Sequence, residues 1–349
     1  MSGQLILVTG ATGGLGRVLV RALIAAGYAV RTTGRNARIG AHLAADGAHF
    51  VAADLVQDDL TPLFAGAQTG QSVAAVIHLA ALSAPWGRDA DFVAANITAT
   101  QRLLAATQSS AQSSGQSSSM CRQFLFASTP SIYTAPRDQL GLREDSALPP
   151  RLINAYARTK YAAECAVLAA NGTVLRTIAL RPRAIICPGD TVLLPRLMRA
   201  GARGRMPLPH GGQALIELTD ARDVAAAFIA ALQADDAAFG RAYNLSGGAP
   251  LPLATIAGHV FDRLEKPVQM VAINRQLALA GATMLERIAR LRPSQPEPAI
   301  TRYGVMATGW SQTFDLSAAR TALDWQPRHT PRDAIDWALA EVEGAVADA

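Results

Sequence analysis

The sequence predicts an α/β fold, a doubly wound parallel sheet joined to a smaller, interleaved α+β lobe. Three observations point there. Apolar strand patterns alternate with helical patterns through the first half of the chain, as βαβ units require. A glycine-rich turn, Gly10-Ala-Thr-Gly13-Gly-Leu-Gly16, falls between the first strand and the first helix. Beyond about residue 187 the alternation weakens, and proline and glycine become frequent. A chain of 349 residues has room for one large α/β unit and a subdomain.

The elements follow in order. Strands are expected at 5–9, 29–33, 49–53, 73–78, 123–128 and 177–186, with helices at 15–26, 89–106 and 156–170. Gly27 ends the first helix, a common stop signal. Residues 108–119, Gln-Ser-Ser-Ala-Gln-Ser-Ser-Gly-Gln-Ser-Ser-Ser, read as a flexible surface insertion. Later, helices at 193–203 and 252–265 flank a strand at 214–218, a helix at 221–233 and a strand at 241–245. Residues 1–187 therefore form the expected nucleotide-binding domain, to which 219–246 return. Residues 188–218 and 247–349 form the expected substrate-binding lobe. The helix at 276–291 is apolar on most sides of its first half and carries Arg287, Arg290 and then Arg292 near its end. It suits a lid over a pocket or a peripheral contact with a membrane surface.

Composition narrows the function classes. Half the residues are hydrophobic and 17% are charged, the balance of a soluble globular protein with an ample core. No apolar run reaches bilayer-spanning length, and a strand at 5–9 leaves no room for a signal peptide, so a cytoplasmic protein is expected. A net charge of +5, spread without a Lys/Arg block, suits anionic small molecules and not nucleic acid. Cys121, Cys165 and Cys187 are far apart, and His42, His49, His78, His210, His259 and His329 form no ligand spacing. No metal site is expected.

The glycine turn carries the first chemistry. Gly10 permits a tight turn, Gly13 lets backbone approach a pyrophosphate, and Gly16 allows close helix–strand packing. The helix that follows offers unpaired N–H groups to phosphate oxygens. An acidic residue at the end of the second strand would hold the ribose hydroxyls of NAD. This chain has Gly34-Arg35 there, with Arg31 and Arg38 nearby, so NADP(H) is favoured over NAD(H). Asp54 and Leu55, after the third strand, are placed to hold the adenine edge.

Tyr156 and Lys160 carry the second. The chain has two lysines among 32 basic residues, and one lies four positions after a tyrosine in Tyr156-Ala-Arg-Thr-Lys160. Residues i and i+4 share a helix face. Unit charges about 5 Å apart at a dielectric of about 20 interact by roughly 3 kcal/mol. That is about 2 pKa units, enough to draw the phenol down toward neutrality for acid–base work.

Together these pieces resemble the extended short-chain dehydrogenase/reductase family. The resemblance rests on Thr9–Gly16, His78-Leu-Ala-Ala81, Asn96, Phe124-Leu-Phe-Ala-Ser-Thr129, Tyr156 with Lys160, and Leu180-Arg-Pro182. Asp223-Val, Tyr243-Asn-Leu-Ser-Gly-Gly248 and the late Phe314-Asp-Leu and Leu323-Asp-Trp-Gln-Pro327 also match. Within the family, Ala80-Ala-Leu-Ser-Ala-Pro-Trp-Gly87 and Arg181–Asp190 look closest to the 3β-hydroxysteroid dehydrogenase-like branch. That branch includes sterol 4-carboxylate dehydrogenases and 2-alkyl-3-oxoalkanoate reductases.

The resemblance implies a Rossmann-type sheet and a Tyr156–Lys160–Thr129 catalytic set, with Ser128 the neighbouring candidate hydroxyl and Asn96 positioning the site. It adds Thr12, Gly14, Leu15, Ala80 and Pro182 to the cofactor residues, along with Tyr156 and Lys160 themselves. It implies an NADPH-dependent reductase, reversible as an alcohol dehydrogenase. Its substrate would be apolar, a sterol or 3-keto lipid, lying against Ser83, Pro85 and Trp86 beside Thr129 and Tyr156. A homodimer is expected by analogy of fold. Two other readings stay open: a nucleotide-sugar epimerase or dehydratase with tightly bound NAD, clamping a diphosphate with Arg196, Arg199 and Arg203, and a non-catalytic NADPH sensor.

Overall fold

The computed structural model describes residues 3–65, 72–113, 121–190 and 193–347. Its frame is a seven-stranded sheet built from β1 (Leu5–Thr9), β2 (Ala29–Gly34), β3 (His49–Ala52), β4 (Val73–His78), β5 (Gln123–Ala127), β6 (Arg176–Pro182) and β7 (Arg241–Leu245). The order across the sheet is β7-β6-β5-β4-β1-β2-β3, and every pairing is parallel. The chain winds outward from β1 in both directions, so the strand order reverses between β1 and β4. Ligands of open α/β sheets bind at such a reversal, beyond the carboxyl ends of the strands.

The central strands β1, β4 and β5 are largely apolar on both faces, as burial of both faces demands. On one side, Leu19, Val20 and Leu23 of α1 (Gly14–Ala25) pack with Val224, Phe228 and Ala231 of the helix Ala221–Gln233 against Ile6, Val8 and Leu180. On the other, Leu103 and Leu104 of α2 (Ala99–Ser113) join Ala163 and Val167 of α3 (Ala155–Ala169) over Leu7, Phe124 and Phe126. The helix α3 is fastened by a buried ion pair: Glu164 accepts from Arg181 of β6, with the Arg181 Nε–Oε2 distance at 2.9 Å.

The smaller lobe has its own core, formed by Leu194, Leu197, Leu208, Ile216, Ile256 and Phe261 with Ile335 and Leu339 of the last helix. Its mixed sheet joins Leu251–Pro252, Leu215–Ile216, Gln312–Phe314 and Gln139–Leu142. The strand Gln139–Leu142 is four residues long and carries Gly141 at a φ of +64°, too short a run for its Leu140/Leu142 alternation to mark it, and it pairs with Gln312–Phe314.

Two segments differ from their sequence expectation, and a third, a late helix, matches it. The helix expected at 89–106 is interrupted by a π-helical turn, Val93–Thr98, and then runs on to Ser113, six residues into the Gln/Ser tract. Of that expected insertion, residues 114–119 lie outside the described residues. The strand expected at 177–186 breaks after Pro182, because Ala184 takes a φ of +41° that no strand accommodates. Ile185–Ile186 then pairs separately with Thr219–Asp220. The helix expected at 276–291 is α4 (Arg275–Leu291), which buries Ala282, Glu286 and Ala289 and leaves Leu277, Met284, Ile288 and Leu291 exposed. Among the described residues no helix is long and apolar enough to cross a membrane, and no group of three or more His, Cys, Asp or Glu could hold a metal ion.

Candidate active site

The glycine turn sits at the strand-order reversal and is shaped by what surrounds it. Gly10 takes a φ of +70°, and a Cβ there would stand 2.6 Å from the Ala80 nitrogen. A Cβ at Gly16 would stand 2.2 Å from the Gly10 oxygen, so both positions exclude any larger residue. Gly13, by contrast, is exposed, and a Cβ there would meet only the Gly10 oxygen, at 3.4 Å. It caps α1 in an extended conformation with no side-chain acceptor on the first helical N–H groups. Those groups, from Gly14, Leu15 and Gly16, are available to phosphate oxygens. The cradle fits a dinucleotide pyrophosphate. Thr12 lies against Gly34, where a Cβ would come within 3.3 Å of its methyl group, so the turn and the end of β2 share one wall.

A buried polar chain braces the reversal from below. Thr9 Oγ1 lies 2.7 Å from His78 Nδ1, and His78 Nε2 lies 2.9 Å from Thr100 Oγ1. Thr100 in turn donates to the Asn96 carbonyl at 2.7 Å. The Thr100 hydroxyl therefore accepts from Nε2–H, and Nδ1 accepts from Thr9. Burial and the neighbouring Lys160 push the His78 pKa down to about 3, which keeps the imidazole neutral as this chain requires.

At the adenosine end, Arg35 is exposed at the close of β2 and Arg38 is exposed just beyond. Arg31 is not available to a phosphate: its guanidinium is buried and donates to the Leu63 and Ala65 carbonyls, both at 2.8 Å. The period of two along β2 turns Arg31 into the protein. Asp54 uses Oδ1 to accept from Val56 N at 2.8 Å, shaping its own turn, with Leu55 half-buried beside it.

Beyond the carboxyl ends of β4 and β5 the chain gathers five hydroxyls. Tyr156, at the start of α3, is within hydrogen-bonding reach of Thr129 and Ser83, and Tyr303 stands close enough to influence it. Thr129 Oγ1 donates to Ser131 Oγ at 3.0 Å, and Ser131 Oγ lies 2.8 Å from the Tyr303 hydroxyl. Of the two candidate hydroxyls after β5, Thr129 is the one brought to the phenol. Ser128 Oγ is buried without a partner.

The expected lowering of the Tyr156 pKa by Lys160 does not occur in this geometry. Burial pushes the phenol up, and hydrogen bonding from Thr129 and Ser83 opposes it only in part. The physical reason lies in Lys160 itself. It is 2% exposed, stacks its Nζ 3.9 Å above the Phe126 ring, and is drawn by burial down to about 7, with Glu164 opposing. With its ammonium held over the Phe126 ring, Lys160 is not among the groups that act on the phenol.

Asn96 lies on the π-helical turn and touches none of these hydroxyls except through structure. Its Oδ1 accepts from Leu82 N at 2.8 Å, and its Nδ2 donates to Leu82 O at 3.2 Å and Thr159 Oγ1 at 3.0 Å. It ties the loop bearing Ser83 to the helix bearing Tyr156. Ala80 N donates to Thr9 Oγ1 at 3.3 Å, and Pro182 is buried at the end of β6. Trp86 donates its indole N–H to Gln295 O at 2.8 Å and lies under Arg290, which ties the loop after β4 to the lobe.

The arginines considered for a diphosphate do not form a clamp. Arg196 pairs with Glu297 at 3.0 Å, and Arg199 Nε donates to Pro195 O at 3.3 Å. Arg203 lies past the end of the helix Leu194–Gly201.

Sequence reasoning missed Ser131, Tyr303 and the His78 chain. Tyr303 comes from the helix α5 (Arg302–Gly309), capped by Thr301 and anchored where Glu286 of α4 accepts from Arg302 N at 2.7 Å. It is 147 residues from Tyr156 (303 minus 156), and no local spacing relates them. Ser131 had a signal, since Thr129-Pro-Ser131 is a plausible capping turn.

Residues 6–246 match the model of the NAD dependent epimerase/dehydratase family. The chain is 34% identical over 339 residues to an uncharacterised protein, YbjS, of Escherichia coli (strain K12), covering 95% of each. It is 30% identical over 324 residues to a 2-alkyl-3-oxoalkanoate reductase of Shewanella oneidensis, covering 90% of this chain and 80% of the relative. Among solved structures, UDP-glucuronic acid 4-epimerase from Bacillus cereus, in complex with UDP-glucuronic acid and NAD, superposes with a TM-score of 0.73. That match has 20% identity and covers 98% of this chain and 100% of the other, a likeness of fold.

Proposed function

The chain belongs to the NAD dependent epimerase/dehydratase family, and on that premise we propose that it is an NADPH-dependent carbonyl reductase, reversible as an alcohol dehydrogenase. It is an NAD(P)-dependent oxidoreductase-type enzyme of the extended short-chain dehydrogenase/reductase branch. The finer reading adds a substrate class, an apolar carbonyl compound such as a sterol or 3-keto lipid, and a preference for NADPH. The observation that carries it is the Tyr156 phenol, within reach of Thr129 and Ser83 and kept protonated by burial.

The nicotinamide nucleotide, when bound, supplies a hydride. Gly13, Gly14, Leu15 and Gly16 would hold its pyrophosphate, and Arg35 a 2′-phosphate. Tyr156 then gives its proton to the carbonyl oxygen, and Thr129 and Ser83 hold that oxygen beside the phenol. Lys160, four residues on along α3 with its Nζ 3.9 Å above the Phe126 ring, would offset the phenolate charge in its protonated form. Asn96 keeps the Ser83 loop and α3 in register, and acts as a positioning residue.

Support for NADPH comes from Gly34 and Arg35 at the end of β2, beside a cleft lined by Arg17, Arg38 and His42. Support for the substrate comes from the name of the Shewanella relative, a reductase of 2-alkyl-3-oxo acids. The epimerase reading asks for a diphosphate clamp, and the pairing of Arg196 with Glu297 weighs against it.

The test is net NADPH and NADH oxidation with 3-keto steroids and 2-alkyl-3-keto acids, run beside an assay of nucleotide released on denaturation. NADPH-selective consumption with little retained nucleotide is expected. Stoichiometric retained NAD without net consumption would overturn the reading in favour of an epimerase.

A further inference from the structure

Arg183 is a buried cation that the proposed chemistry does not use. It follows Pro182, is 5% exposed, and is fixed by its backbone: its N–H donates to Leu245 O at 2.8 Å, and its carbonyl accepts from Thr219 Oγ1. Ala184, the next residue, turns the chain with a φ of +41°, a strain that persists only where the surroundings impose it. The guanidinium lies within hydrogen-bonding reach of Tyr303, and Nε is buried with no partner. No carboxylate of the described residues lies within ion-pair distance. The nearest acidic influence is Glu217, whose oxygens are taken up by Ser246 and by Phe314 N. Burying an unpaired guanidinium is costly, so its partner is expected to arrive from outside.

The position defines that partner. Arg183 lines a narrow cleft with Thr134, Met306 and Trp310, and Tyr303 lies between it and the Tyr156 hydroxyl cluster. We propose that Arg183 and Tyr303 form a carboxylate site that orients the substrate, which is therefore a carboxylic acid and not a neutral ketone. This rests on the reductase reading of the same site, and narrows it. Arg31 and Arg196 also bury an unpartnered Nε, but their other nitrogens are taken by Leu63 and Ala65 carbonyls and by Glu297.

Two measurements separate this claim from the reading beneath it. The first is binding alone, by calorimetry, of a 2-alkyl alkanoic acid with no 3-oxygen, against its methyl ester. Wild type should bind the acid at least tenfold more tightly, a charge-assisted hydrogen bond being lost in the ester. Arg183→Met should erase the preference, and Arg183→Lys should keep part of it. Tyr303→Phe should weaken it several-fold, which keeps the test alive if Arg183→Met fails to fold. The second is oxidation of a 2-alkyl-3-hydroxy acid and its methyl ester with NADP+. Arg183→Met should raise KM for the acid at least tenfold, and leave kcat/KM for the ester within about threefold.

Equal binding of acid and ester by wild type would overturn the carboxylate site, whatever the turnover result. So would a parallel loss for acid and ester in Arg183→Met, the mark of a structural arginine. Acid-selective binding without turnover of either compound would uphold the carboxylate site and sink the reductase reading.

Discussion

Replacing Lys160 with methionine should stabilise the protein, and by an amount that depends on pH. Burial draws the folded-state pKa down to about 7, against an ordinary lysine value of 10.5. The unfolded chain therefore binds the extra proton between pH 7 and 10.5. Below pH 7 both states carry it, and the folded state bears the whole cost of a buried ammonium, about 5 kcal/mol from a shift of about 3.5 units. As pH rises across that window the cost fades, so wild type gains stability. Between pH 6 and pH 9 the gain amounts to about 3 kcal/mol. Methionine matches the lysine stem and needs no solvation, so the Lys160→Met variant should be more stable at pH 6 and should lack this rise. Urea unfolding at both pH values, read by tryptophan fluorescence, measures it. A variant no more stable than wild type at pH 6, with the same pH slope, would show that Lys160 is solvated or paired, and would refute the argument from burial.

Other outcomes follow from the same contacts. Glu164→Gln leaves Arg181 buried without its counter-ion, and should cost about 3–5 kcal/mol by denaturant titration, with α3 loosened. Asn96→Ala breaks the tie from the Leu82 backbone to Thr159; a loss of about 1–3 kcal/mol is expected, with kcat reduced and the Kd for NADPH unchanged by fluorescence titration. Arg35→Glu should raise the KM for NADPH tenfold or more while sparing NADH, because it restores the acidic residue that suits a free ribose.

Much of the fold could be read from the sequence because its signals are local. Strands such as β1, β4 and β5 are short apolar runs next to helical patterns, and Gly10 and Gly16 sit where backbone crowding admits nothing else. The lobe was less legible. Gln139–Leu142 is a four-residue strand that pairs with Gln312–Phe314, and so short a run leaves too little periodicity to mark it. The site divides in the same way. Tyr156 and Lys160 share a helix, so their spacing reveals them. Tyr303 and Arg183 reach the site from separate elements, and only folding brings them together. Electrostatics was the least legible: pair distance alone suggested that Lys160 would lower the Tyr156 pKa, whereas burial shifts both groups toward their neutral forms. Arg31 failed for a related reason, since its place in β2 turns it into the core.

The most direct test of the account is Tyr156→Phe, assayed by hydride transfer from NADPH to a 2-alkyl-3-keto acid, with NADPH binding measured on the same preparation. Loss of the proton donor should lower kcat by about 10²–10⁴-fold and leave the Kd for NADPH within threefold. A variant that turns over at the wild-type rate would contradict the assignment of Tyr156 as the proton donor.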